Sequence, residues 1–142
     1  MRVNMMLADH AQVADGKLYI SGGGWSITGP QPTPFAVVLE IKVPWNLINT
    51  QRTFTLTLID ADGEPFLVKT AEGERPLRIE GQFMATPAPG VKPGSELATL
   101  AAINMPPQQW VPGTQYEWRL EIDGKSDDDW RLPFQVRPAG RA

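Results

Sequence analysis

Apolar and polar residues alternate along most of this chain, the period of an extended strand with one buried face. No stretch keeps a 3.6-residue period beyond a turn or two. The clearest run is Thr53 to Ile59, with Phe54, Leu56 and Leu58 on one face and Thr53, Thr55 and Thr57 on the other. Asp60-Ala61-Asp62-Gly63 then supplies a turn signal. Phe35, Val37, Leu39 and Ile41 make a second apolar face, which Pro44 ends because proline has no N–H to give a ladder. Val3 to Ala8, Lys17 to Ile20, Phe66 to Lys69, Leu77 to Phe83, Tyr116 to Ile122 and Trp130 to Val136 read as further strands. Pro133 marks the last of these as an edge or a bulge. Glu96 to Met105 is apolar on both faces, which predicts a central strand or one covered by a loop.

Eight or nine strands with short connections and no crossover helix predict an all-β fold, an immunoglobulin-like antiparallel β-sandwich. The 14 prolines and 13 glycines fit that reading, since both disrupt helix interiors and serve turns. Asp15-Gly16 predicts a hairpin turn, or a break between two edge strands, near the N-terminus. Residues 87–95, rich in Pro and Gly, read as a loop because the strands on both sides need partners. The expectation is one domain over residues 1–138 and a loose tail over 139–142.

Trp110-Val111-Pro112-Gly113-Thr114-Gln115-Tyr116-Glu117-Trp118 resembles the corner before strand F of fibronectin type III and other immunoglobulin-like domains. That resemblance implies that the Tyr116 hydroxyl bonds backbone a few residues upstream. A second resemblance spans nearly the whole chain. It rests on Leu7-Ala8-Asp9, Ala11-Gln12-Val13, Gly16-Lys17-Leu18-Tyr19-Ile20 and the glycines that follow, and on Tyr116 to Gly124. These look like a family of small bacterial proteins known only as a domain of unknown function, so no activity, cofactor or partner comes with the likeness.

Length and composition narrow the function classes. A chain of 142 residues buries roughly 70% of its extended surface on folding, and 42% hydrophobic with 20% charged residues lies far from the balance of disorder. The net charge of −3, with the two signs interspersed, offers no basic patch for phosphates, so no nucleic acid is expected. Without cysteine there is no disulfide, thiolate metal site or thiol nucleophile. The N-terminal decapeptide lacks a signal-type apolar run, and no segment nears the ~20 apolar residues of a helical span, so a cytoplasmic protein with no membrane partner is expected.

Candidate chemistry is sparse. The single histidine, His10, follows Asp9, and neighbours on a strand face opposite ways, so Asp9 is badly placed to orient it. Ser21-Gly22-Gly23-Gly24-Trp25-Ser26 lacks the Gly-Lys-Ser/Thr ending, the spacing and the helix of a phosphate loop. It reads as a bend where backbones approach closely, or as a lip presenting Trp25 to a partner. Asp127-Asp128-Asp129, with Asp62 and Asp123, lacks EF-hand spacing and reads as a solvated turn, so no metal is expected. Of five tryptophans, Trp110, Trp118 and Trp130 fall on core-facing positions, leaving Trp25 and Trp45 for a ligand.

The expectation is a non-enzymatic binding or assembly module without a cofactor, acting on a protein partner or a second copy as a homodimer. The candidate contact residues are Gly22, Gly23, Gly24, Trp25 and Trp45. The alternative is a small-ligand or carbohydrate module centred on Trp25 and Trp45, and a third is a hydrolase using paired carboxylates.

Overall fold

The computed structural model describes residues 1–140. It is all β, with one 3-10 turn at Trp45–Leu47 and eleven strands. In chain order these are β1 (Arg2–Ala14), β2 (Lys17–Gly23), β3 (Ile27–Thr28), β4 (Phe35–Val43), β5 (Arg52–Asp60), β6 (Leu67–Thr70), β7 (Gly73–Pro76), β8 (Arg78–Phe83), β9 (Leu97–Met105), β10 (Gln115–Ile122) and β11 (Arg131–Val136). The two strands beyond the nine read from the sequence are β3, only two residues long, and β7, whose Gly73-Glu74-Arg75-Pro76 has no alternation to betray it. Among the described residues, no helix is long and apolar enough to cross a membrane.

The strands form a four-stranded sheet, β2-β1-β4-β9, a five-stranded sheet, β3-β11-β10-β5-β8, and a separate hairpin, β6-β7. All pairings are antiparallel except β3 with β11, which is parallel. One core takes Leu7, Phe35, Val37, Leu39 and Ile41 from the first large sheet and Phe54, Leu56, Leu58, Trp118, Leu120 and Phe134 from the second. The period-two faces of β4 and β5 are therefore the faces that meet, with Leu39, Leu56, Trp118 and Leu120 fully buried. An aromatic knot closes one end of this core. Trp110 is its hub, with ring centroids 5.2 Å from Tyr116, 5.3 Å from Phe134, 5.4 Å from Phe66 and 5.7 Å from Phe35.

The interior strands of the four-stranded sheet are β1 and β4, and β9 is not among them. Glu96 to Met105, apolar on both faces, read as a central strand or a covered one; β9 pairs only with β4 and is the sheet edge, and its Ala102 and Asn104 meet the β1-β2 hairpin. The β1-β2 hairpin, closed by a left-handed Asp15-Gly16 turn, bends over the outer face of its own sheet. Small side chains at Ala8, Ala11, Ala36 and Ala102, together with Val38 and Leu18, form a second buried cluster there. Asn104 of β9 seals the bend: Ala11 N–H donates to its Oδ1 (3.2 Å) and its Nδ2 donates to the Ala11 carbonyl (2.7 Å).

Pro133 sits where its missing N–H costs nothing. The amides of Gln135 and Arg137 point away from β10, to the carbonyls of Ser26 and Thr28, while Val136 points back to Thr114. Pro133 shares the parity of Gln135, so its nitrogen faces the edge that the two-residue β3 leaves uncovered. Of the tail read at 139–142, Ala139 and Gly140 are exposed and outside any strand, and the final two residues lie outside the described residues.

Candidate functional site

The chain leaves β5 at Asp60, whose carboxylate shapes the turn: Asp60 Oδ1 accepts from Asp62 N–H (2.9 Å) and Glu64 N–H (3.0 Å). This is the Asp-Ala-Asp-Gly signal of the sequence carried out by a side chain bonding its own backbone. Phe66 then returns to the sheet, donating its N–H to the Leu58 carbonyl (2.9 Å), and its ring joins the aromatic knot 5.5 Å from Tyr116. From this anchored base the β6-β7 hairpin projects as an arm. Leu77 N–H closes the arm on the Phe66 carbonyl (2.8 Å), and the tip is held by Thr70 Oγ1 donating to the Gly73 carbonyl (2.7 Å).

Opposite the arm runs the segment 106–114. Its Val111-Pro112-Gly113 turn is tied down by Tyr116, whose hydroxyl accepts the Val111 N–H (3.0 Å), and by Gly113 N–H on the Val136 carbonyl (3.1 Å). Gly113 needs its positive φ of 79° to make that turn. Between arm and corner lies a groove of 1280 Å³, floored by Tyr116, Gln115 and Gln135. Leu67 on the arm and Val111 on the corner face it, 49% and 60% exposed. A smaller depression of 450 Å³ continues it past Asp60, Gln115 and Gln135 to the Glu117–Arg119 ion pair (2.7 Å).

The groove combines apolar contacts, among them Leu67, Val68, Val111 and the half-buried Phe66, with the amides of Gln108, Gln109, Gln115 and Gln135, and Asp60, Asp62, Glu74 and Lys69 bring charge to its lining. Each amide both donates and accepts, so this lining suits a hydrogen-bonding and partly apolar ligand, and the three carboxylates against one ammonium disfavour an anionic one. Its floor is rigid because Tyr116 and Phe66 belong to the aromatic knot. Among the described residues, no three His, Asp or Glu side chains group closely enough to hold a metal ion.

The residues singled out in the sequence lie elsewhere. Gly22 and Gly23 are the last residues of β2, and Gly22 and Gly24 adopt left-handed backbone (φ 60° and 86°). A Cβ on Gly22 would collide with the Asp9 carboxylate, and one on Gly23 would come within 2.6 Å of Ile20 Cγ2. The pairing skips Asp9 and Gly22 but keeps the same offset on both sides, from Ala8↔Gly23 to Ala14↔Lys17, so this is a close approach at a bend without an inserted residue. Trp25 follows where the chain crosses between the large sheets. It is half-buried, with its ring edge-on to Phe134 at 6.1 Å and its Nε1 enclosed, while Gly22, Gly23, Gly24 and Ser26 beside it are exposed.

Trp45 lies at the far end of β4 from the aromatic knot, in the 3-10 turn. The nine residues of β4 span about 30 Å, so the structure does not bring Trp25 and Trp45 into one small-ligand site. His10 is exposed on β1 opposite Ser21. The three aspartates form a turn in which Asp127 Oδ1 accepts Asp129 N–H (3.0 Å) and Asp128 faces Arg131.

Leu67 and the four glutamines escaped sequence reasoning. Val111 was placed in a corner but not on a surface. A signal was present in an apolar valine set between tryptophan and Pro-Gly, where a turn leaves it no core to enter. The glutamines carried none, because their convergence depends on the arm. A family model matches residues 4–137, and its description is a family of unknown function (DUF6941). No curated protein matches the chain.

Proposed function

Since the chain belongs to that family of unknown function, DUF6941, no inherited activity constrains the reading, and we propose a non-enzymatic recognition module that binds an extended polypeptide segment. The observation that carries it is the groove between the β6-β7 arm and the Val111 corner. An extended peptide offers alternating side chains and unpaired backbone N–H and C=O groups. Leu67, Phe66 and Val111 would take the side chains, and the glutamine amides the backbone. The histidine stands outside the groove, on β1. This reading includes an immunoglobulin-like arrangement of the two large sheets, supported by the Tyr116–Val111 bond at the corner.

Selection from a random peptide library displayed on phage tests it directly. Enriched peptides should bind the purified chain, and Leu67→Asp and Val111→Asp should each weaken them by roughly tenfold, the loss of one buried apolar anchor. Both side chains are exposed, so the melting temperature should stay within a few degrees of the parent. No enrichment, or enriched peptides indifferent to both substitutions, would sink the proposal.

A further inference from the structure

Among the described residues, every sheet edge longer than two residues but one carries a feature that discourages strand pairing. On β8 these are Arg78 and Glu80. On β11 they are Arg131 and Pro133, with β3 covering its end. The edge of β2 has Lys17 and the left-handed Gly22, and the arm has Lys69, Glu74, Arg75 and Pro76. Charges, prolines and twisted backbone at edges are the means by which folded proteins avoid unwanted pairing. The nine residues of β9, Leu97-Ala98-Thr99-Leu100-Ala101-Ala102-Ile103-Asn104-Met105, contain no charge, no proline and no glycine. All nine pair with β4 on one side, and among the described residues no backbone hydrogen bond reaches β9 from the other.

We propose that β9 pairs with β9 of a second copy of this chain, antiparallel about a two-fold axis near Ala101, joining the two four-stranded sheets into one of eight strands. A two-fold axis at the middle residue sets Leu100 opposite Ala102 and Thr99 opposite Ile103 of the other copy, large beside small on each face. No like charges meet, because the strand has none. On the inner side of β9, Glu40 and Lys42 of β4 lie opposite Leu100 and Ala98 and face each other (3.9 Å), one strand away from the free edge, and just before the strand stands the Glu96–Arg2 ion pair. In this register each Glu96 aligns beyond the far end of the partner strand, and the two copies of the pair stand about 34 Å apart, several Debye lengths. Pro106 and Pro107 end the ladder immediately after Met105, which limits pairing to the nine neutral residues. An antiparallel second copy is thus the partner for which the whole edge is neutral and self-matching.

The surface is separate from the peptide groove, so the test does not depend on that reading. Sedimentation equilibrium should show a dimer of the unaltered chain at about 100 μM, the weak range expected of a small interface. Leu100 lies on the outer face, where it neighbours its own copy diagonally across the axis. Leu100→Lys and Leu100→Glu should therefore each yield monomer, weakening association by roughly tenfold or more, while an equimolar mixture should restore the dimer through Lys–Glu pairing. If either substitution compromises folding by circular dichroism, Ala98→Lys at the exposed start of the strand serves in its place and should also give monomer. A monomeric parent, a folded variant that dimerises like the parent, or a Lys and Glu mixture that stays monomeric overturns the proposal.

Discussion

At the residue scale, single side chains join pieces of backbone that no ladder connects. Tyr116 was legible through the resemblance of its Pro-Gly corner to immunoglobulin-like domains, which implied a backbone partner a few residues upstream, and its hydroxyl accepts the Val111 N–H. Asp123 is a less visible case. It occupies the left-handed position of an Asp-Gly turn (φ 51°), accepts Thr53 N–H (3.0 Å) and faces Arg52 (2.9 Å). The Thr53 hydrogen bond, helped by the Arg52 guanidinium, holds its carboxyl below the ordinary value of 3.8. A carboxylate depressed in the folded state contributes stability above its unfolded pKa, and that stability is lost as the pH falls through the folded value. Asn also tolerates left-handed backbone, so Asp123→Asn should keep the turn and remove the titration. Thermal melts should show the parent more stable than the variant at neutral pH and the gap narrowing below about pH 4. A constant gap from neutral to acid would show that the carboxylate charge is not what matters.

At the element scale, the strands followed alternation closely, and the exceptions share a cause. Burial of both faces on β4 comes from the β1-β2 hairpin bending over the sheet, which small residues at Ala8, Ala36 and Ala102 permit. In the sequence those alanines resemble any weakly apolar positions. Asn104 bonds both the backbone N–H and the C=O of Ala11, a fully buried residue. Asn104→Ala should lower stability by about 1–2 kcal/mol, read as a lower urea midpoint at unchanged m-value, because two backbone groups of Ala11 lose their partner at once. A midpoint equal to the parent's would mean that water replaces the amide without cost.

At the scale of the whole molecule, the body and the arm are built to different rules. The body closes around the core between two large sheets, whereas β6-β7 touches it chiefly through Phe66, the residue before β6. Since Phe66 and Leu77 are already bonded across the arm's base, replacing Leu67–Pro76 with Asn-Gly should leave a two-residue hairpin and an intact fold. The melting temperature should move by only a few degrees, and affinity for groove-selected peptides should vanish. Retained binding would place the peptide elsewhere. What the sequence by itself determined was the all-β class, the inward faces of β4, β5 and β10, and the Tyr116 corner, because alternation and turn chemistry act over a few neighbouring residues. Only the tertiary structure decided that Trp25 turns inward against Phe134, that β9 lies at an edge, and that residues from 60 to 135 converge on one groove. Those outcomes depend on which strands become neighbours, and the free energy of sheet pairing is set by contacts far apart in the chain.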